Sequence, residues 1–366
     1  MIFMDANNNL KKILFYISTI REGGAARVMV NLANQFSKVG YEVLFITNFP
    51  AKIEYPLSAK IKRISLEKEE SKQNIWNKNI SRIRALRDII DANKPKYCIA
   101  FMMQNNVRLL LATLFTGVKT IISIRTDPKR KYSGIKGYLI GKIFYRLADG
   151  VVFQTKEAQA YFPCAIQKKS AIIWNPVSDK FYQTTLSENP HNIVTCGRLS
   201  GEKRQALLIR AFANIAHKFP TDNLLIYGQG PKENALRQLI GELKLQNRVF
   251  LMGQSRDIAK VLGNAKLFVL ASSYEGMPNA LMEALTVGVP SISTDCPCGG
   301  PHELITPKYN GLLIPCDEEK ALIHAMDAML SNPKQAVQMG ENARKVAQSY
   351  RTDMIAQEWE KLLRRI

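Results

Sequence analysis

Long hydrophobic runs are missing from this 366-residue chain. No stretch approaches the roughly 18 apolar residues needed to cross a bilayer. The longest, such as Leu109 to Phe115, suit buried strands or helices. Cysteine is scarce as well. Six residues at this length are too few for a disulfide framework. Cys98 and Cys196 sit inside apolar, strand-like runs, where a buried free thiol is the expectation. Cys296, Cys298 and His302 form a C-x-C-x3-H cluster, but a second ligand pair is lacking, so no metal is expected. The G-x-G-x-x-G fingerprint is absent, which argues against a dinucleotide cofactor. The opening MIFMDANNNLKKILF puts its polar residues before the apolar run and has no small-residue cleavage site. It does not read as a signal peptide, and the cytoplasm is the expected compartment.

Acidic residues are short in one half only. Residues 1–180 carry 30 Lys and Arg against 13 Asp and Glu, a net +17, whereas the remaining 186 residues carry 21 against 18, a net +3. Such asymmetry points to an acidic partner for the first half, either nucleic acid or an anionic membrane. A merely solvated basic surface is the plain alternative.

Apolar material is ample. At 46% hydrophobic residues, the chain has enough for two cores, and its length suits two domains. Residues 12–17, 41–47, 97–103, 120–124 and 151–154 read as strands in the first half. Residues 191–197, 224–227, 249–252, 267–270 and 290–293 do so in the second. Helix-like segments alternate with them, among them residues 25–39, closed by Gly40, and a final helix over 352–365. Strands alternating with helices predict α/β architecture with parallel sheets covered on both faces. The polar, Pro-bearing stretch 175–192 reads as a linker. The expected domains are 1–178, with the terminal helix of about 350–366 packing back on it, and 190–349. In doubly wound domains, ligands bind at the carboxyl ends of the strands.

Three loops after strands carry the chemistry. Gly197-Arg198-Leu199-Ser200-Gly201-Glu202-Lys203-Arg204 offers a guanidinium and an ammonium, together suited to a diphosphate. Ser272 to Glu283 brings Glu275 in front of a helix that Pro278 suits as a start, with Glu283 eight residues on inside it. The free N–H groups near Gly276 and Met277 would make an anion site, and the two carboxylates would accept from sugar hydroxyls. The plain alternative is a surface Glu and a helix-end charge. Gly23-Gly24-Ala25-Ala26-Arg27 lets backbone approach a ligand closely or is simply a turn.

Taken in this order, the loops resemble the GT4-type retaining glycosyltransferases across nearly the whole chain. The most specific part is the E-x7-E pair, Glu275 and Glu283, within EGMPNALMEAL. G-R-L-x-x-E-K-R at 197–204, Asn175-Pro176-Val177 and Gly228-Gln229-Gly230-Pro231 support it, and STDCPCGGPHELI is similar to members that build bacterial surface polysaccharides and lipid-linked oligosaccharides. The resemblance implies a GT-B fold, two Rossmann-like domains facing across a cleft. It implies a UDP-sugar as co-substrate, no metal, and retention of anomeric configuration. Arg198 and Lys203 would hold and stabilise the leaving diphosphate, and Glu275 would contact the donor sugar. Glu283 would hold the ribose. Backbone at Gly276, Met277, Pro278 and Asn279 would serve the donor, Gly23 and Gly24 its phosphate, and Met252 and Gly253 its base. Many members carry a His after the strand that here ends in Ile122-Ser123-Ile124. This chain has Arg125 and Asp127 there, which become the acceptor-side candidates beside a structural ion pair or turn.

Two basic, amphipathic segments, 79–90 and 129–147, would suit an anionic membrane surface or a solvated face. The expected reading is a transferase at the inner face of the membrane, acting on a polyprenyl-diphosphate-linked saccharide and needing no nucleic acid. A sugar-nucleotide epimerase of the same fold, a soluble transferase for a small sugar and a nucleic-acid-binding protein are the competing readings.

Overall fold

A computed structural model describes residues 11–21, 23–50, 54–68, 74–255 and 257–366. The polar residues 1–10 of the N-terminal reading lie outside that set. The chain divides into two compact units, residues 1–176 with 352–366, and residues 177–351.

The first unit is built on a parallel sheet of seven described strands: β1 (Lys12–Ile17), β2 (Glu42–Thr47), β3 (Lys62–Ser65), β4 (Tyr97–Phe101), β5 (Lys119–Ser123), β6 (Gly150–Phe153) and β7 (Ser170–Ile172). Their order is β3-β2-β1-β4-β5-β6-β7, so the winding reverses between β1 and β4. The central strands are near-continuous apolar runs because helices cover both faces. Phe15, Ile99 and Ile121 serve one core and Leu14, Cys98 and Leu109 the other. The helix Thr352–Arg365 belongs to this unit. Its Ile355, Trp359, Leu362 and Leu363 are buried in the first of these cores, with Trp359 stacked on Phe101 at 5.9 Å between ring centres.

The second unit has six described parallel strands: β8 (Asn192–Cys196), β9 (Asn223–Tyr227), β10 (Val249–Gly253), β11 (Ala265–Leu270), β12 (Ser291–Thr294) and β13 (Leu312–Ile314). Their order is β10-β9-β8-β11-β12-β13, and the winding reverses between β8 and β11.

Two expectations change in detail. The stretch read as a linker is partly folded: a helix spans Asp179–Gln183 and buries Phe181, and Val177 onward belongs to the second unit. The basic segment 129–147 is not one helix. It turns at Tyr132 and Ser133 and continues as short helical pieces from Gly134 to Leu147. Gly134 stands at the break in the left-handed conformation, with φ 71°, and Gly137 permits the close packing that follows, since a Cβ there would sit 2.3 Å from the Tyr132 carbonyl carbon.

Candidate active site

The reversal point of the second sheet brings two of the three motif loops together. Arg198 and Lys203 lie in the loop after β8, and Glu275 in the loop after β11. The main chain ties these loops: the Ser273 amide donates to the Glu202 carbonyl at 2.8 Å. Side chains tie them again. The Lys203 ammonium donates to Glu275 Oε1, and the Ser272 hydroxyl donates to the same oxygen at 2.7 Å. Both members of this ion pair are largely buried, with side-chain exposures of 22% and 12%.

Arg198 is exposed, and its carbonyl accepts from Gln205 Nε2 at 2.9 Å, which fixes the loop beneath it. Glu202, which the sequence reading left without a role, accepts from the Ser200 hydroxyl at 2.6 Å. Burial alone would raise its carboxyl pKa. The Ser200 hydroxyl, its own backbone N–H and the charges of Lys203 and Arg198 outweigh burial and hold it below the usual carboxylate range.

Close backbone packing shapes the floor. A Cβ on Gly228 would lie 1.9 Å from the Gly197 carbonyl oxygen and one on Gly230 would lie 2.3 Å from that of Leu199, so only glycine fits both places. On the other side, a Cβ on Gly300 would lie 1.9 Å from the Gly276 carbonyl oxygen. The Glu275 amide donates to Pro297 at 2.7 Å and the Cys298 amide to Glu275 at 2.8 Å. The loop 295–300 thus braces the Glu275 loop.

The helix Asn279–Val287 begins immediately after Pro278, which occupies its capping position, and ends at Gly288 in the left-handed conformation. Met277 and Pro278 are buried. Glu283 is buried within this helix at 6% exposure. Met252 and Gly253 close β10. Met252 is exposed, and the Gly253 carbonyl accepts from the Gly228 amide at 2.7 Å. Cys296 and Cys298 are buried while His302 is exposed and bonded to Asp295 at 3.3 Å. Among the described residues, no group of three or more His, Cys, Asp or Glu is arranged to hold a metal ion.

In the first unit, Gly23 and Gly24 open the helix Gly24–Lys38, and a Cβ on Gly23 would meet nothing within 4 Å. Asp127 is buried and caps the turn Pro128–Lys131, accepting from the Lys129 amide at 2.9 Å and lying 3.7 Å from Arg130 Nε. It forms no ion pair with Arg125. Arg125 instead lies 3.8 Å from the centre of the Phe101 ring and donates to Asn175 Oδ1, which Gln154 also donates to. Its Nε and Nη2 are buried with no hydrogen-bond partner among the described residues.

The basic segments also differ from one another. In the helix Ile75–Asn93, Arg82 is buried against Glu67, and Arg87 pairs with Asp91 at 3.0 Å and donates to the Leu114 carbonyl at 2.7 Å. Arg82 is thus withdrawn from the surface, while Arg87 stays half exposed beside its partner. Residues Gly134 to Leu147 expose Ile135 (83%), Tyr138, Leu139, Ile143 and Leu147 beside exposed Lys136 and Arg146. Val107, Leu111, Leu139, Ile140, Ile143 and Phe144 line an apolar hollow of about 340 Å³ there. No helix among the described residues is long and apolar enough to cross a membrane.

Known proteins match these features. The family model for glycosyl transferases group 1 matches residues 178–346. An uncharacterised glycosyltransferase of Methanocaldococcus jannaschii is 33% identical over 276 residues, covering 68% of each chain. The GalNAc-alpha-(1->4)-GalNAc-alpha-(1->3)-diNAcBac-PP-undecaprenol alpha-1,4-N-acetyl-D-galactosaminyltransferase of Campylobacter jejuni is 26% identical, over 97% of this chain and 98% of its own. The crystal structure of Anabaena HepE in complex with UDP and glucose superposes with a TM-score of 0.81 at 18% identity, over 98% of this chain and all of that one, which establishes the shared GT-B fold. With two doubly wound units and the motif loops at a reversal point, the chain belongs to the group 1, GT4-type family and is a glycosyltransferase.

Proposed function

We propose that this glycosyltransferase moves a hexose or N-acetylhexosamine from a UDP-sugar to a membrane-associated, polyprenyl-diphosphate-linked saccharide in surface glycan assembly, with retention and without a metal. The observation that carries the donor side is the joining of the Arg198–Lys203 loop to the Glu275 loop at the reversal of the second sheet. Departure of a nucleoside diphosphate builds negative charge, and fixed cations where that charge grows are the largest available help. Arg198 and Lys203 supply them. Glu275, steadied by Lys203 and Ser272, accepts from donor-sugar hydroxyls. Glu283 holds the ribose, the amides of Gly276, Met277 and Asn279 add donors at a helix start, and backbone at Met252 and Gly253 meets the base. Retention follows if the acceptor attacks from the face the diphosphate leaves, with the diphosphate taking its proton.

The acceptor side is supported by the exposed apolar and basic residues of Gly134 to Leu147. This segment docks on anionic lipid at the inner face of the membrane, its apolar side chains in the acyl boundary and Lys136 and Arg146 among head groups. The undecaprenol-linked substrate in the name of the Campylobacter relative agrees with that placement.

Calorimetric titration with UDP and GDP tests the donor, using the wild type and Arg198→Ala/Lys203→Ala. Selective UDP binding that the double variant loses is the expected result. A folded wild type that binds neither nucleotide would sink the proposal. Release of UDP from a UDP-sugar only when lipid-linked acceptor is present separates transfer from epimerisation.

A further inference from the structure

Two nitrogens of one buried guanidinium carry an inference about the first unit. Arg125 follows β5, Gln154 follows β6, and Asn175 lies three residues after β7. All three therefore sit at the carboxyl ends of parallel strands, the edge where doubly wound sheets take their ligands. Asn175 Oδ1 receives Arg125 Nη1 and Gln154 Nε2, and the Phe101 ring lies against the guanidinium. This fixes the plane of Arg125 and leaves the Nε and Nη2 edge without a partner among the described residues. The same edge of Arg82 takes both carboxylate oxygens of Glu67, with Nε to Oε1 and Nη2 to Oε2.

Among the described residues no carboxylate pairs with Arg125, since Asp127 is bonded to the Lys129 amide and faces Arg130. A buried cation without a counter-charge is a costly arrangement, and its clearest use is to meet an anion brought by a ligand. Burial pushes its pKa down to about 9, so it remains charged at neutral pH. The residue as a whole is partly exposed, although its Nε and Nη2 are themselves buried.

We propose that Arg125, held by Asn175, Gln154 and Phe101, forms an oxyanion subsite in the first unit that grips two oxygens of a phosphate or carboxylate on the acceptor. This rests on the transferase reading above, in which the first unit takes the acceptor. A phosphate would come from the lipid diphosphate, and a carboxylate from an acidic sugar.

The full-length protein saturated with UDP is titrated with pyrophosphate and, separately, with glucuronate, as wild type, Arg125→Gln and Arg125→Lys. The wild type is expected to bind one further oxyanion, with Arg125→Gln weakened at least tenfold and Arg125→Lys in between, while UDP affinity is equal in all three. Tighter binding of pyrophosphate assigns the diphosphate, and tighter binding of glucuronate an acidic sugar. In turnover, Arg125→Gln is expected to raise the acceptor KM and leave the donor KM unchanged. A UDP-binding wild type without a second oxyanion site, or equal oxyanion binding and acceptor KM in Arg125→Gln, would overturn the subsite and leave the transferase reading standing. A folded wild type that binds no UDP would remove the transferase reading itself.

Discussion

Lys203 and Glu275 lie 72 positions apart in sequence and form an ion pair across two loops of the second unit, with the Ser272 hydroxyl on the same carboxylate oxygen. The pair sets a division of labour. On the proposed function, Lys203 supplies charge for a diphosphate while Glu275 turns its remaining acceptor capacity to a sugar. Removing one preorganised donor of this kind typically costs about 100- to 1,000-fold in turnover. Lys203→Ala is accordingly expected to lower kcat by that order and to weaken UDP binding. Glu275→Gln keeps a shape that Ser272 still reaches, so it should bind UDP normally yet lose transfer from UDP-sugar. Calorimetry and steady-state kinetics on both variants check the split, and equal loss of UDP affinity in the two would refute it.

Glu283 is buried inside the helix Asn279–Val287, eight residues beyond Glu275. Hydrogen bonds to a charged group contribute about 1.5–3 kcal/mol. Glu283→Gln should therefore weaken UDP by about tenfold or more and leave pyrophosphate affinity unchanged, because pyrophosphate has no ribose. Loss of both ligands in parallel would assign Glu283 to the fold instead.

Gly300 braces the donor loop from the side of residues 295–300. An added Cβ would stand 1.9 Å from the Gly276 carbonyl oxygen, which cannot move without shifting the residue after Glu275. Overpacking of this kind typically costs about 1–3 kcal/mol. Gly300→Ala should lower the melting temperature and raise the donor KM. An added methyl group at Gly201, where nothing lies within 4 Å, is the control expected to change neither.

The central strands were legible because burial on both faces writes them as unbroken apolar runs. β3, β7 and β13 were not. Each stands at an edge of its sheet, spans three or four residues and pairs on one side only, so Lys62 and Arg63 can face solvent there. The motif loops stood out because each follows a legible strand. What holds them together did not, since the amide of Ser273 on Glu202 and the grip of Asn175 on Arg125 join positions 71 and 50 residues apart and leave no periodic trace. Charge alone does not show the pairing within residues 79–90, where Arg82 is buried against Glu67 and the half-exposed Arg87 is tied to Asp91 and the Leu114 carbonyl.

The proposed membrane docking by Gly134 to Leu147 makes a residue-level forecast. Burying one large apolar side chain contributes about 1.5–3 kcal/mol, or roughly 10- to 100-fold in partitioning. Ile135→Asp should reduce binding to vesicles containing anionic lipid by that order. Lys136→Glu should reduce it further and flatten its dependence on salt. Arg84→Glu, on the helix whose other arginines are internally paired, is expected to matter little. Equal binding of the wild type to neutral and anionic vesicles would argue against electrostatic docking.

Arg125 links stability to pH in a definite sense. Its folded pKa lies near 9, depressed by burial below the ordinary value for arginine. Below that pH both folded and unfolded chains carry the charge, and the folded state bears the full cost of desolvating it. Between the folded and unfolded values the unfolded chain holds more protons, so stability gained from releasing this proton grows with rising pH. Replacing buried ionic groups with apolar side chains of similar volume is often neutral or stabilising by about 1–4 kcal/mol, and a lone buried cation has no Coulombic partner to lose. Arg125→Met should thus melt above the wild type at pH 7, by an amount that shrinks as the pH passes 9 towards 10, while acceptor turnover falls. Melting curves of both proteins across that range decide the matter, since a variant that melts lower at pH 7 would mean that Phe101 and Asn175 already satisfy the charge.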